Sequence, residues 1–199
     1  MTKSKHLGKT RSIFLITGTP GTGKTTISKR VAERISADYL SVTTLVHKYR
    51  LQTSLDIERR TKVVDLTRTR TKLRQLVRGK NGVVIVDTHM PDCLPKELVK
   101  RVVVLRSDPR VLEKRLRAKG WGTRKIQENV LAELLDSCLI AAVGYYGSKR
   151  VSEFDASSSN LKESVASVTT ALLKGTEWRP QVDWISTLEK QGRLTRHLV

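Results

Sequence analysis

The stretch GTPGTGKTT, residues 18 to 26, constrains this chain more than any other. It follows the apolar run IFLIT (13 to 17) and precedes a helical pattern, so it reads as a glycine turn from strand to helix, with the spacing G, four residues, G-K-[ST]. Gly18, Gly21 and Gly23 let the backbone aim its amides inward at phosphate oxygens, and the helix that begins near Lys24 adds its positive end. In that geometry Lys24 bridges the β and γ phosphates of a nucleoside triphosphate, and the Thr25 hydroxyl binds Mg²⁺. The ordinary alternative is a glycine turn with a surface lysine.

Further apolar runs alternate with helical patterns: a weaker YLSV (39 to 42), then VVIVD (83 to 87), RVVVL (101 to 105) and RVSEF (150 to 154). Alternating strand and helix predict an α/β fold, a doubly wound parallel sheet of about five strands, and the unbroken apolar runs predict strands covered on both faces. Residues 56 to 80 read as one long polar helix with Val63, Leu66, Leu73, Leu76 and Val77 toward the core. SDPRVLEKRLRAKG (107 to 120) is a helix with Pro109 in its first turn and Gly120 as its stop. WGTRK (121 to 125) is then a loop, residues 126 to 142 repeat apolar positions at helical spacing, and residues 157 to 160 cap the helix LKESVASVTTALLK. The expected organisation is a basic arm over 1–12, one domain over 13–175 and an appendage over 176–199, in which Trp178 and Trp184 dock back onto the body or onto a partner.

The 199 residues suffice for one such domain, and no apolar run approaches the roughly 18 residues needed to cross a membrane. The basic N-terminus has no apolar stretch of a secretory signal behind it, so a cytoplasmic protein with no membrane partner is expected. Cys93 and Cys138 have neither metal-knuckle nor disulfide-framework spacing and read as buried thiols. A formal net charge of +19 favours polyanions such as nucleotides or RNA, unless it is a surface habit of the organism. With aromatics at 5%, RNA contact would go through phosphates rather than stacking.

The strand VVIVDTHM (83 to 90) ends on a carboxylate and an imidazole two positions apart, which places Asp87 and His89 on the same side. Ligands of an open parallel sheet sit beyond the carboxyl ends of the strands, so Asp87 would face the glycine loop and orient Mg²⁺ together with Thr25. Its alternative is a turn carboxylate. A histidine at that position can orient a water and take its proton, whereas an ionised phosphate acceptor needs no base. His89 should therefore matter more for ATP hydrolysis than for transfer; the alternative is a histidine that caps the strand end. The chain lacks a guanine-reading N-K-x-D pattern and is too short for a motor ATPase, which favours a compact kinase of small molecules.

GTPGTGKTT, VVIVDTH and VLRSDPRVLEKRLRAKGWGTRKIQENVLAE together resemble the atypical adenylate kinases that are also ATPases, the nuclear coilin-interacting ATPases of eukaryotes and the broad-specificity nucleoside monophosphate (NMP) kinases of archaea. The resemblance covers about residues 13 to 174, and the D-x-H strand end with the lid segment is more specific than the glycine loop. It implies a P-loop NTPase fold like that of adenylate kinase, with a short lid over about 118–128 and an NMP-binding segment over about 41–65. It places ATP phosphates on Gly21, Gly23, Lys24, Thr25 and Thr26, assigns catalysis to Lys24, Asp87 and His89, and brings Lys119 over the triphosphate. It also implies a part in late small-subunit ribosome maturation, through a platform ribosomal protein of the S-eleven family and contact with pre-ribosomal RNA.

Two positions depart from the family pattern. Lys119 stands where members carry arginine before the lid glycine, and a point charge replaces a guanidinium fork. His47 stands where many members have arginine for the acceptor phosphate, with Lys48 and Arg50 close enough in sequence to compensate. Three functions compete: an NMP kinase with ATPase activity, a nucleotide-gated assembly ATPase with little kinase activity, and, last, a shikimate- or gluconate-type kinase.

Overall fold

The computed structural model describes residues 11–56, 61–157, 160–175 and 182–193. The basic residues 1–10 and Trp178 lie outside them. A five-stranded parallel sheet forms the centre. β1 (Ser12–Gly18) lies between β5 (Val83–Asp87) and β6 (Val99–Arg106), with β2 (Asp38–Ser41) and β7 (Val151–Asp155) at the edges. The three inner strands are the unbroken apolar runs, as burial on both faces requires. Side chains alternate between two cores. Ile13, Leu15, Val84 and Val86 pack against α2 (Val42–Lys48), α3 (Leu66–Arg78) and α6 (Ser137–Tyr146); Phe14, Ile16 and Ile85 pack against α1 (Lys24–Arg34) and α7 (Leu161–Lys174). Truncating one of these, as in Leu15→Ala, costs about 2–5 kcal/mol.

A third, smaller core joins α4 (Pro109–Ala118), α5 (Thr123–Leu134) and α8 (Trp184–Lys190) through Leu112, Leu116, Ile126, Val130, Leu134, Trp184 and Leu188. Trp184 thus docks on the body of the protein. α4 begins as its sequence implies, with Asp108 accepting from the Arg110 amide at 2.8 Å and Pro109 in the first turn. Asn160 caps α7 in the same way, accepting from the Glu163 amide at 3.2 Å.

Four local expectations fail. Residues 56 to 80 are not one helix: β3 (Gln52–Asp56) and β4 (Thr61–Val64) form an antiparallel hairpin, a separate two-stranded sheet, and α3 starts only at Leu66. Asp65 sets that start by accepting from the Arg68 amide at 2.9 Å, and the β-branched Val63 and Val64 before it suit an extended chain. Leu73 and Val77 are fully buried, but Val63 and Leu66 are exposed. The loop predicted over 121–125 is shorter, because α5 already starts at Thr123. Residues 126–142 then break into two helices at Asp136, whose φ of 53° ends the run and whose carboxylate is drawn to Arg106. Cys93 is buried as expected, while Cys138 is only half-buried.

Candidate active site

β1 delivers the glycine loop at the carboxyl edge of the sheet. Gly18 has φ +142°, and a Cβ there would sit 2.3 Å from the Leu105 carbonyl oxygen, so the strand end is pressed against β6. Gly21 has φ +100°, and its Cβ position lies 2.7 Å from Leu112 and 2.9 Å from Leu116. The loop is closed from within by Thr22, whose hydroxyl and amide donate to the Thr19 carbonyl at 2.9 and 3.2 Å. α1 starts at Lys24 with no side-chain cap and no acidic residue in its first turn. Its first amides and its positive dipole end face the crevice uncompensated, which suits an anion.

Lys24 is 8% exposed, and its ammonium donates to the Thr19 carbonyl at 3.0 Å. Burial lowers its pKa from 10.5 to about 8, against the nearby charges of Asp87 and Glu133, which raise it; the Lys119 ammonium lowers it a little further. A buried cation held by one neutral carbonyl suits an anionic partner.

Asp87 is buried at the end of β5, in register with Ile16 and Ser41 of the flanking strands. Its Oδ2 accepts from the Thr25 hydroxyl at 2.8 Å and from the Tyr39 phenol at 2.9 Å. Burial, and then the Asp87 charge, push the Tyr39 pKa upward, so this proton stays on the phenol as a donor. A carboxylate and a threonine hydroxyl in contact at the mouth of a phosphate loop form a hard-oxygen donor set that fits Mg²⁺.

His89 is solvent-exposed, yet enough protein packs around it to disfavour its charged form. That desolvation, followed by the charges of Lys24 and Lys125, lowers its pKa from 6.5, against the opposing pull of Asp87. The turn after the strand is held by Thr88, not His89: the Thr88 hydroxyl accepts from the Met90 amide at 2.9 Å, and the Thr88 amide donates to the Ile16 carbonyl at 3.2 Å.

The remaining candidates stand farther out. Thr26 is exposed in the first turn of α1, and Lys119 is exposed at the end of α4. His47, Lys48 and Arg50 are exposed around the C-terminal end of α2, with Arg50 at φ 51° and Lys48 Nζ 5.6 Å from the Tyr49 ring centre. Among the described residues none of the three bonds to Lys24, Asp87 or His89. Of the basic residues around the lid segment, Arg115 is engaged elsewhere, donating to the Ala156 carbonyl at 3.1 Å, and Arg117 pairs with Glu113 at 2.7 Å as its i,i+4 spacing predicts.

A buried network behind the loop had no counterpart in the sequence reading. Arg106, 1% exposed at the end of β6, donates Nε to Glu133 at 2.8 Å and a terminal nitrogen to Glu153 at 3.1 Å, and also meets Asp136. Desolvation alone would lower the Arg106 pKa, but Glu133, Asp136 and Glu153 outweigh it and the net direction is upward. Glu133 also accepts the Thr19 hydroxyl and so touches the glycine loop. Tyr39 was missed as well; an aromatic with a polar tip in an edge strand was its one local signal.

Residues 14–136 match the family model described as an AAA domain. The chain is 35% identical over 179 residues to a "Putative adenylate kinase" of Thermococcus onnurineus, covering 89% of this chain and 94% of that one. A protein of the same description from Methanocaldococcus jannaschii is 32% identical over 169 residues, covering 85% and 90%. Among solved structures, the shikimate kinase of Bacteroides thetaiotaomicron is similar with a TM-score of 0.58, at 21% identity, covering 82% of this chain and 98% of that one. At that identity the likeness speaks for the fold alone: a P-loop kinase fold.

Proposed function

The chain belongs to the AAA-domain family and is a relative of the archaeal proteins described as putative adenylate kinases, and from that premise we propose that it is an NMP kinase with ATPase activity. The observation that carries the reading is the meeting of Lys24, Thr25 and Asp87 at the carboxyl edge of β1 and β5, with the His89 ring exposed beside them. In transfer, the bond between the γ-phosphorus and the β–γ bridging oxygen breaks, and a new one forms to an ionised phosphate oxygen of the acceptor. The protein's work is positioning and charge neutralisation.

Amides of Gly21 and Gly23 and the first turn of α1 with Thr25 and Thr26 hold the phosphates, and Lys24 leaves the Thr19 carbonyl to bridge them. Thr25 and Asp87 would hold Mg²⁺, which would supply positive charge to neutralise the triphosphate. Lys119 and the lid over about 118–128 cover the triphosphate, and the segment over about 41–65 receives the acceptor, with His47, Lys48 and Arg50 at its phosphate. The neutral His89 imidazole accepts a proton from water, so hydrolysis depends on it more than transfer does. Measuring ADP formed from ATP alone and with AMP, CMP, GMP or UMP tests the reading. Hydrolysis that no acceptor stimulates would remove the kinase and leave the ATPase.

A second reading rests on the +19 charge: the nucleotide state gates assistance to late small-subunit maturation, through a ribosomal protein of the S-eleven family and pre-ribosomal RNA. Retention on small-subunit precursors should then fall steeply between 50 and 200 mM salt. Absent or salt-insensitive retention favours the enzyme alone.

A further inference from the structure

Glu133 gathers four donors from three parts of the chain. It lies in the last turn of α5, 1% exposed. Its Oε2 accepts the hydroxyl of Thr19 in the glycine loop. Its Oε1 accepts from Arg106 Nε at 2.8 Å, the Ser107 amide at 3.0 Å and the Trp184 indole N–H at 3.2 Å. Thr19 in turn presents its carbonyl to the Lys24 ammonium at 3.0 Å. A hydrogen-bonded line therefore runs from Trp184 through Glu133 and Thr19 to Lys24.

A second, apolar line runs beside it. Trp184 and Leu188 of α8 pack in one cluster with Leu112 and Leu116, the same two side chains that press on Gly21. Just before α8, the Val182 amide donates to Glu153 at 3.3 Å, and Glu153 is bonded to Arg106. α8 is thus tied to the back of the loop by a neutral donor, by packing, and through a buried ion network in which each partner depends on the others.

We propose that Trp184 is a positioning residue for the nucleotide: α8 is the rear support of the phosphate loop, and its docking and the filling of the loop affect each other. The proposal rests on the loop being the ATP site. Positioning acts in both directions, because a coupling free energy between two sites is reciprocal. When Lys24 exchanges the Thr19 carbonyl for phosphate, Thr19 and Glu133 readjust and the indole N–H feels the change. Conversely, a Glu133 without its tryptophan donor holds Thr19 less firmly.

Titrating Mg-ATP into the full chain by calorimetry gives the reference affinity. Trp184→Phe keeps an aromatic ring in the apolar cluster and removes only the indole donor. It should weaken ATP binding about fivefold or more, with melting temperature little changed and kcat at saturating ATP less affected than KM. Unchanged affinity in a folded Trp184→Phe protein overturns the proposal. A second measurement leaves Trp184 in place. In a chain carrying Trp121→Phe and Trp178→Phe it is the sole indole, and saturating ATP should shift its emission. Adding Thr19→Val cuts the hydrogen-bonded line and leaves the apolar one, so the shift at saturation should shrink. Emission indifferent to ATP, or a shift undiminished by Thr19→Val, overturns the proposal. A wild-type chain that binds no ATP at all would overturn the site reading itself, and the proposal with it.

Discussion

The Thr25 hydroxyl donates to Asp87 Oδ2 at 2.8 Å, joining the first turn of α1 to the end of β5. Tyr39 donates to the same oxygen, so two hydroxyl donors hold the carboxylate in place before any ligand binds. Asp87→Ala should lower kcat for phosphoryl transfer about 100-fold or more, the scale of losing one group that stabilises developing charge. A coupled assay of ADP production with AMP as acceptor reads it. A loss below tenfold would mean that Asp87 serves the strand end rather than the chemistry.

His89→Ala should depress acceptor-free ATP hydrolysis more than transfer to AMP. The pH profile adds a sign: the pKa is lowered, so the ring is neutral at pH 7 and able to accept a proton. Hydrolysis should stay level through neutral pH and decline only below the ordinary histidine range near 6.5, on a limb absent from the His89→Ala profile. Equal losses in both reactions would make His89 a general phosphate contact.

Lys24 is held against its own solvation. A folded-state pKa near 8, against 10.5 unfolded, corresponds to about 3 kcal/mol of destabilisation at neutral pH. The unfolded chain binds more protons between these values, so the cost is fully present below pH 8 and is relieved as pH rises toward 10.5. Lys24→Met should therefore abolish ATP binding while stabilising the ligand-free protein by about 1–3 kcal/mol at pH 7. Urea titrations of both proteins at pH 7 and pH 9.5 give the difference, which should shrink at the higher pH.

Arg106→Ala would leave Glu133, Glu153 and Asp136 facing one another without their cation. Breaking a buried pair in this way costs about 3–5 kcal/mol, enough to unfold many domains of this size. Burial already holds the Asp136 pKa above its usual value despite the arginine, so the variant should recover part of its stability at acid pH, where Asp136 protonates. Thermal melts at pH 5 and pH 7.5 compare the two.

His47→Ala and Arg50→Ala should each raise the KM for AMP severalfold, leaving that for ATP unchanged. Both residues stand exposed around the end of α2, apart from Lys24 and Asp87. Unchanged kinetics in both variants would remove them from the acceptor site.

The parts of the fold that the sequence discloses are those written over a short span. The glycine loop, the strand that feeds it and Asp87 at a strand end each state their place within ten residues. The α3 region misleads because its basic residues can be carried on a helix or a strand alike, and only the Asp65 cap and the β-branched Val63 and Val64 mark the change. Glu133 could not be read at all. In α5 it is one more acidic residue on a helix; its meaning comes from Arg106, 27 positions away, and Trp184, 51 positions away. Pairings at that separation leave no periodicity behind.

Among the described residues, β3 and β4 form a sheet of their own, with no ladder to the five-stranded sheet. An isolated two-stranded ribbon is marginal in water, so its amides should exchange with deuterium through local opening, whereas those of β1 and β5 wait for the whole molecule to unfold. The hairpin can then breathe many times within the lifetime of a single native sheet.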